Sequence, residues 1–214
     1  LVLGRDRTEN FAIHVFCGLI VVHFFTETFN AGTRSIVRNK ALIRKMALPK
    51  EMFPVASMMV SLFHVAPQVV ILLVAVLIIG WAPSGLGIAA FFLALGIIMA
   101  LGTGLALMFS VANVYFRDVQ HFLGVALAPW MFLTPILYPL NMVPADKEFL
   151  GIGYRTLYQL NPMVSWAKAY RNVLYDLRFP SAERWLGIVV AAGVVLALGF
   201  RVFNRLEPRM AEEV

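Results

Sequence analysis

The chain has 214 residues, of which 60% are hydrophobic and only 14% are charged, and its mean hydropathy is +0.79. A soluble domain needs more polar surface than this, so the composition predicts a membrane protein. The net charge of +6 does not call for a nucleic-acid partner, because basic residues at membrane surfaces are its ordinary cause. The single cysteine, Cys17, excludes an intrachain disulfide, and the sequence suggests no metal site.

Five apolar runs of about 20 residues predict an all-α, polytopic bundle of transmembrane helices that forms one domain over residues 1–214. The runs are continuous rather than alternating, which disfavours a membrane β-barrel. They cover residues 11–32, 54–80, 86–112, 119–140 and 185–203. In the third run, Gly96, Ala100 and Gly104 form a stripe of small residues, which predicts close helix packing rather than a ligand site.

Basic residues are distributed unevenly between these runs. Six lie in residues 33–52 and none in the turn Trp81–Gly85, whereas Arg117 lies in the next turn and three arginines lie in the tail after residue 200. Short basic loops stay in the cytoplasm, so loop 33–52, the turn at Arg117 and the C-terminus are predicted inside. The turn Trp81–Gly85 is then outside.

Residues 141–184 also hold six basic residues, but this topology places them outside. Charge constrains orientation less in a connection of this length. Five spans with an internal C-terminus place Leu1 outside, so the intact protein is expected to have six spans. The sequence contains neither G-x-x-x-x-G-K-[ST] nor G-x-G-x-x-G, which excludes nucleotide binding by those two routes.

Ionisable side chains inside the predicted spans suggest an ion pathway. His23 and Glu27 are four residues apart and share a helical face, and His64 and Gln68 repeat this spacing. A proton-coupled carrier can use such pairs. Glu27, however, lies within two turns of the inner end of its span, where its carboxylate can reach water.

A short, basic and partly amphipathic helix is predicted over residues 36–48. Basic side chains occupy much of its surface, and four apolar ones can share a face: Ile36, Leu42, Ile43 and Met46. Pro49 and Pro54 then redirect the chain before the next span. Such a helix can insert into a groove on a soluble partner, or it can serve only as an anchor on anionic lipid.

The turn Asn113–Asp118 also has two interpretations. Asp118 is predicted to cap the next helix, while Tyr115 and Arg117 suit the inner membrane interface. Alternatively, the turn makes a second contact with a soluble partner.

Prolines and aromatic residues cluster in the fourth run. Pro135 is expected to kink the helix and to free a backbone carbonyl, which survives at membrane depth only inside protein or along a wet path. Trp130, Phe132 and Tyr138 can stack on sugar rings there, or they can simply face lipid and neighbouring helices. Farther on, Asn161 and Pro162 are predicted to start an interfacial helix that runs to about Tyr175. That helix either gates an exit or only seals the bundle.

Four segments, in this order, resemble the membrane subunits of ABC exporters for polysaccharides and polyol phosphates. Asn39-x-x-Leu42-Ile43-Arg44-Lys45, followed by Leu48-Pro49-Lys50-Glu51 and Pro54, resembles their cytoplasmic coupling region. Ala112–Val119 resembles their turn between the fourth and fifth spans, and Phe132–Pro139 resembles the end of the fifth span. Leu160–Met163, followed by Ala169–Arg171, resembles their external re-entrant region. These subunits have six spans, in agreement with the count expected above, but their amphipathic helix and first span have no counterpart in this sequence.

The resemblance implies a partner and a cargo. Two copies of this chain would pair with two separately encoded ATPase subunits that bind ATP and Mg, so the chain itself would carry no cofactor and no catalytic site. The cargo would be a lipid-linked glycan that moves outward across a bacterial cytoplasmic membrane.

The resemblance also implies roles for individual residues. Seven would contact the ATPase: Arg38, Asn39, Leu42, Ile43, Arg44, Lys45 and Pro49. A second contact would involve Tyr115, Arg117 and Asp118. The substrate path would pass Trp130, Phe132, Pro135 and Tyr138, and the outer gate would comprise Asn161, Pro162, Trp166, Tyr170 and Arg171. Two other functions stay open, an ion-coupled secondary transporter that uses His23 and Glu27 and a membrane-embedded glycolipid enzyme.

Overall fold

The computed structural model describes residues 11–45, 48–80, 85–134, 148–149, 152–153, 164 and 182–213. Its helices are α1 (Phe11–Arg38), α2 (Lys40–Lys45), α3 (Met52–Ile78), α4 (Gly85–Tyr115), α5 (Val119–Leu133) and α6 (Ala182–Glu213). Two short strands, β1 (Glu148–Phe149) and β2 (Ile152–Gly153), pair antiparallel, with Glu148 opposite Gly153. The predicted all-α class is confirmed, since this strand pair is the one exception in the described part.

In the described part of the chain, four helices are long and apolar enough to cross a membrane. Their membrane-length segments are Val15–Arg38, Met52–Ile78, Gly87–Tyr115 and Trp185–Pro208. They correspond to four of the five predicted spans, and the first of them ends six residues later than predicted. The remaining predicted span, 119–140, is described only as the 15-residue helix α5, and residues 135–140 lie outside the described part.

Helices α1 and α4 form the centre of the bundle. In the most apolar part of each, 56% of the residues are buried, compared with 28% in α3 and 22% in α6. The main core lies between these helices and includes Phe24, Phe91 and Ile98, all fully buried. The outer faces of α3 and α6 carry large apolar side chains such as Phe63 and Leu186, as expected of helices that contact lipid.

A smaller core closes one end of the bundle. Its buried members come from α1, α4 and α6: Ile36, Leu107, Val111, Val114, Phe203 and Met210. Ile43 of α2 and Phe53 of α3 pack against it from the outside. This second cluster therefore fixes the position of α2 relative to the ends of the long helices.

The short helix predicted over residues 36–48 is present as α2, but within narrower bounds. Ile36 belongs to α1 and is fully buried, a turn follows at Asn39, and α2 spans only six residues. The Asn39 side-chain Nδ2 donates to the Ser35 carbonyl at 2.7 Å, so the amide competes for a backbone acceptor and favours a break. Ile36 therefore does not share an outer face with Leu42, and Met46 lies outside the described residues.

The small residues of the stripe in α4 differ in what they contact. A Cβ on Gly104 would lie 2.6 Å from the Val195 carbonyl oxygen, and a Cβ on Gly199 would collide with the Gly104 carbonyl oxygen. The two glycines thus let α4 and α6 touch backbone to backbone, as predicted for Gly104. A Cβ on Gly96 would have no other described residue within 4 Å, so Gly96 takes no part in this contact.

Candidate functional site

Long-range hydrogen bonds bring five helix ends together. The Tyr115 hydroxyl donates to the Leu206 carbonyl at 3.1 Å, and Lys50 Nζ donates to the Glu207 carbonyl at 3.2 Å. The Asn113 amide donates to the Thr33 carbonyl at 3.2 Å. The ends of α1, α4 and α6 therefore lie beside the starts of α3 and α5.

We call residues 34–45, 48–52, 113–120 and 201–210 the basic end. It holds ten basic residues: Arg34, Arg38, Lys40, Arg44, Lys45, Lys50, Arg117, Arg201, Arg205 and Arg209. The segments that the sequence predicts to be inside thus meet at one end of the bundle, and α3 ends at the opposite end.

The coupling residues predicted from the resemblance do not form one surface. Leu42, Arg44 and Lys45 are exposed on α2, and Pro49 is exposed in the loop that follows. Ile43 turns inward and packs against the second cluster. Leu42 is therefore the large apolar side chain that α2 leaves exposed, and it is 42% exposed.

The turn between α4 and α5 is organised by a residue that the sequence argument missed. Asp118 occupies the N-cap position of α5, but its side chain makes no capping hydrogen bond, so the predicted cap is wrong. Instead, the Asn113 Oδ1 accepts a hydrogen bond from the Gln120 N–H at 3.2 Å. The side-chain amide of Asn113 donates to the Thr33 carbonyl. Asn113 is 1% exposed. Asn113 lies seven residues before Gln120, so the short spacing by which a capping residue is recognised in a sequence is absent.

The residues just before Asp118 also differ in whether their side chains are hydrogen-bonded or exposed. The Tyr115 hydroxyl is engaged with α6, whereas Arg117 is exposed. Phe116, which the sequence argument did not select, is 70% exposed. The basic end therefore presents a second apolar side chain beside a basic one, as Leu42 does on α2.

Polar side chains of α1 and α3 face each other in an antiparallel register. Gln68 Nε2 donates to His23 Nδ1 at 2.9 Å, and His64 Nδ1 lies 3.5 Å from Glu27 Oε1. The sequence spacing pairs these residues within each helix, whereas the structure pairs them between the helices. His64 and Glu27 are 53% and 38% exposed.

The polar faces continue beyond these two pairs and line a groove of about 600 Å³ that reaches the basic end. On α1 they continue through Asn30, Arg34 and Arg38, and on α3 through Ser61 and Ser57, all at spacings of three or four residues. The sequence argument missed Asn30, Arg34 and both serines. The signal that reveals them is the same helical spacing extended toward the loop.

A second cavity of about 530 Å³ follows toward the middle of the bundle. His23, Thr26, Asn30 and Gln68 give it a polar edge, and Asn30 lines both cavities. Apolar side chains form the rest of its wall: Phe16, Leu19, Val22, Leu127 and Ala128. A polar groove at the basic end thus leads into a more apolar cavity.

The predicted substrate path is described only in part. Trp130 packs against the main core, and its indole Nε1 is buried without a hydrogen-bond partner in the described part of the chain. Helix α5 ends at Leu133, and Thr134 is extended, the conformation favoured before proline. The kink predicted at Pro135 lies outside the described residues. The Phe132 side chain, Pro135 and Tyr138 lie outside the described residues.

The predicted outer gate lies outside the described residues. This holds for all five of its members: Asn161, Pro162, Trp166, Tyr170 and Arg171. Val164, which is helical and buried, is the only described residue between 154 and 181.

The similarity to known proteins covers nearly the whole chain. Residues 3–175 match the family described as ABC-2 type transporter. An O-antigen export system permease protein, RfbA, of Myxococcus xanthus is 26% identical over 213 residues, which cover 100% of this chain and 80% of that protein. Two Klebsiella pneumoniae proteins of the same name are each 24% identical, over 209 and 214 residues, covering 97% of this chain and 77% of each relative.

Proposed function

The chain belongs to the ABC-2 type transporter family, and we propose that it is the transmembrane subunit of an ABC exporter that moves a polysaccharide outward across a bacterial cytoplasmic membrane. Relatives that align with almost the whole chain carry the name O-antigen export system permease. Four apolar helices of membrane length supply the matching architecture, that of a multi-pass membrane protein. Membership of this family favours an ATP-driven exporter over an ion-coupled carrier or a glycolipid enzyme.

The family implies an ATPase partner, and the basic end is the surface that suits it. The observation that carries this step is the meeting of α2 and the α4–α5 turn at one end of the bundle. Helix α2 presents the exposed Leu42, and the α4–α5 turn presents the exposed Phe116. Each of these side chains lies beside exposed basic residues. An apolar anchor with a charged rim is typical of the centre of a protein interface.

We assign the contacts with the ATPase within this surface. Leu42 inserts into the ATPase, and Arg44, Lys45 and Pro49 surround it. Ile43 transmits movement instead of touching the partner, because it packs against the second cluster where α1, α4 and α6 meet. A displacement of α2 by the closing ATPase therefore reaches three long helices through one buried side chain.

The cargo in this proposal is a lipid-linked glycan, and the working unit contains two copies of the chain. Polar side chains on α1 and α3 offer hydrogen-bonding groups at a depth where a lipid-facing helix would carry none. Such groups suit a hydroxyl-rich polymer.

The ATPase contact is tested by co-purification. The full chain is co-expressed with an affinity-tagged ATPase encoded by a neighbouring gene, and the recovered chain is quantified. Leu42→Asp is expected to reduce recovery roughly tenfold or more, because loss of a buried apolar anchor costs about 2 kcal/mol or more. Ile79→Asp is the matched control, since Ile79 is 48% exposed at the opposite end of the bundle. Equal recovery of Leu42→Asp and wild type contradicts the contact.

Export itself is tested in cells that lack the chromosomal copy of the gene. The wild-type chain is expected to restore polysaccharide at the cell surface, and Leu42→Asp is expected to leave lipid-linked polymer inside. Surface polysaccharide is measured by immunoblot of intact cells. Normal surface polysaccharide in the deletion strain contradicts the proposed function.

A further inference from the structure

Two arginines at the mouth of the 600 Å³ groove have no acidic partner among the described residues. Arg34 and Arg38 are exposed, line the groove and lie four residues apart on one face of α1. The carboxylate in the same groove, Glu27, lies two turns deeper and is 3.5 Å from His64. Like charges at a four-residue spacing destabilise a helix. The pair is therefore poised to hold an anion between its side chains.

A neutral donor extends this set into the groove. Asn30 lies one turn below Arg34 and lines the groove, and its side-chain amide makes no hydrogen bond to another described residue. Guanidinium groups bind phosphate through paired N–H donors, which fit two oxygens at once. Arg34, Arg38 and Asn30 thus offer the donor set of a phosphate site.

The walls of the groove favour a phosphate that is part of a lipid over a free anion. Val60 lines the groove and is 53% exposed on the apolar outer face of α3, next to the exposed Met59 and Phe63. The second cavity, which shares Asn30, continues inward with an apolar wall. A headgroup at the two arginines would therefore have apolar surface beside its chains, which a soluble anion does not need.

We propose that the groove between α1 and α3 binds the phosphate headgroup of a lipid from the membrane leaflet at the basic end, with Arg34 and Arg38 contacting the phosphate oxygens. The inference rests on the proposed function for its natural ligand, the phosphate-bearing lipid to which the exported glycan is attached. Headgroup binding at this site would place the polymer beside the polar side chains of α1 and α3.

The test uses the purified full chain in dodecyl maltoside micelles, with dodecyl phosphate as the probe. Binding is measured as the rise in melting temperature during titration. Arg34→Gln combined with Arg38→Gln is expected to raise the half-saturating concentration about tenfold or more, since charge-assisted hydrogen bonds are lost. Arg34→Gln alone is expected to give a smaller rise, which guards against misfolding of the double variant.

Arg201→Gln combined with Arg205→Gln is the matched control. These arginines are also exposed, four residues apart and at the basic end, but they lie on α6 and do not line the groove. The control is expected to bind like the wild type. Equal loss in both double variants would reduce the effect to diffuse charge attraction and overturn the proposal.

Two further results would also overturn it. One is an unchanged titration of the Arg34 and Arg38 double variant. The other is an equal response to inorganic phosphate, which would indicate a soluble anion. Because the co-purification test uses Leu42→Asp and the ATPase, failure of lipid binding leaves the proposed function standing, and failure of co-purification leaves the lipid result unchanged.

Discussion

The contact between α4 and α6 and the contact between α1 and α3 hold membrane helices together in opposite ways. Gly104 and Gly199 bring α4 and α6 into backbone contact and leave no room between the helices. Between α1 and α3, two polar contacts alternate with open space, and the remaining polar side chains line a groove. The close contact between α4 and α6 is typical of helix packing that stabilises the bundle. The partly open polar contact between α1 and α3 is typical of a surface that receives a ligand.

The difference shows where function is placed in this bundle. A close contact between glycines depends on van der Waals packing, so any added atom is costly there. A partly open polar contact contributes little stability, because exposed ion pairs are worth about 0–1 kcal/mol. The first and the last of the three predictions below test this contrast.

The largest effect is expected for Gly199→Val. The new side chain would meet the backbone of Gly104, which cannot move like the end of a flexible side chain. Overpacking of this kind costs about 1–3 kcal/mol or more, so the melting temperature of the purified chain should fall. Gly193→Val is the control on the same helix, because a Cβ at Gly193 has no neighbour within 4 Å. Equal melting of both variants would remove the basis of the comparison.

An intermediate effect is expected for Asn113→Leu. The change removes the bond to Thr33 and leaves the Gln120 N–H without its acceptor, at a cost of about 1–3 kcal/mol. Asp118→Ala should change stability by less than about 0.5 kcal/mol, since the Asp118 side chain makes no capping bond. Thermal melting of the two variants shows whether Asn113 or Asp118 caps α5. A larger loss for Asp118→Ala would contradict the assignment of the cap to Asn113.

The smallest effect is expected at the polar contact between α1 and α3. A double-mutant cycle of Glu27→Gln and His64→Leu should give a coupling energy below about 1 kcal/mol, because both side chains are more than one-third exposed. Thermal melting in neutral detergent provides the measurement. A coupling energy above about 2 kcal/mol would make this contact a structural joint and would erase its contrast with the glycine contact.

Much of the fold is local information and was therefore predictable. Four of the five apolar runs appear as helices of membrane length, and the basic loops that were predicted inside lie at one end. The helix around the basic loop was misjudged because Asn39 breaks it and Ile36 is already part of α1. Hydrophobic spacing alone does not show which apolar residue is taken into a neighbouring core.

The candidate site was less predictable because its members come from separate helices. The histidines at positions 23 and 64 were recognised, but their partners were assigned within the same helix instead of across the pair. Arg34 was interpreted only as one of six basic residues in a loop. The polar spacing on α1 becomes a groove only once α3 supplies the facing wall.

A membrane-embedded bundle of helices with one basic end follows from the amino-acid sequence, because apolar length and charge distribution act on each segment independently of its neighbours. The tertiary structure alone decided three features: the pairing of His23 with Gln68, the capping of α5 by Asn113, and the joint of Gly104 with Gly199. Each depends on the register between two helices, which is set by packing over their whole length and is not encoded at any one position.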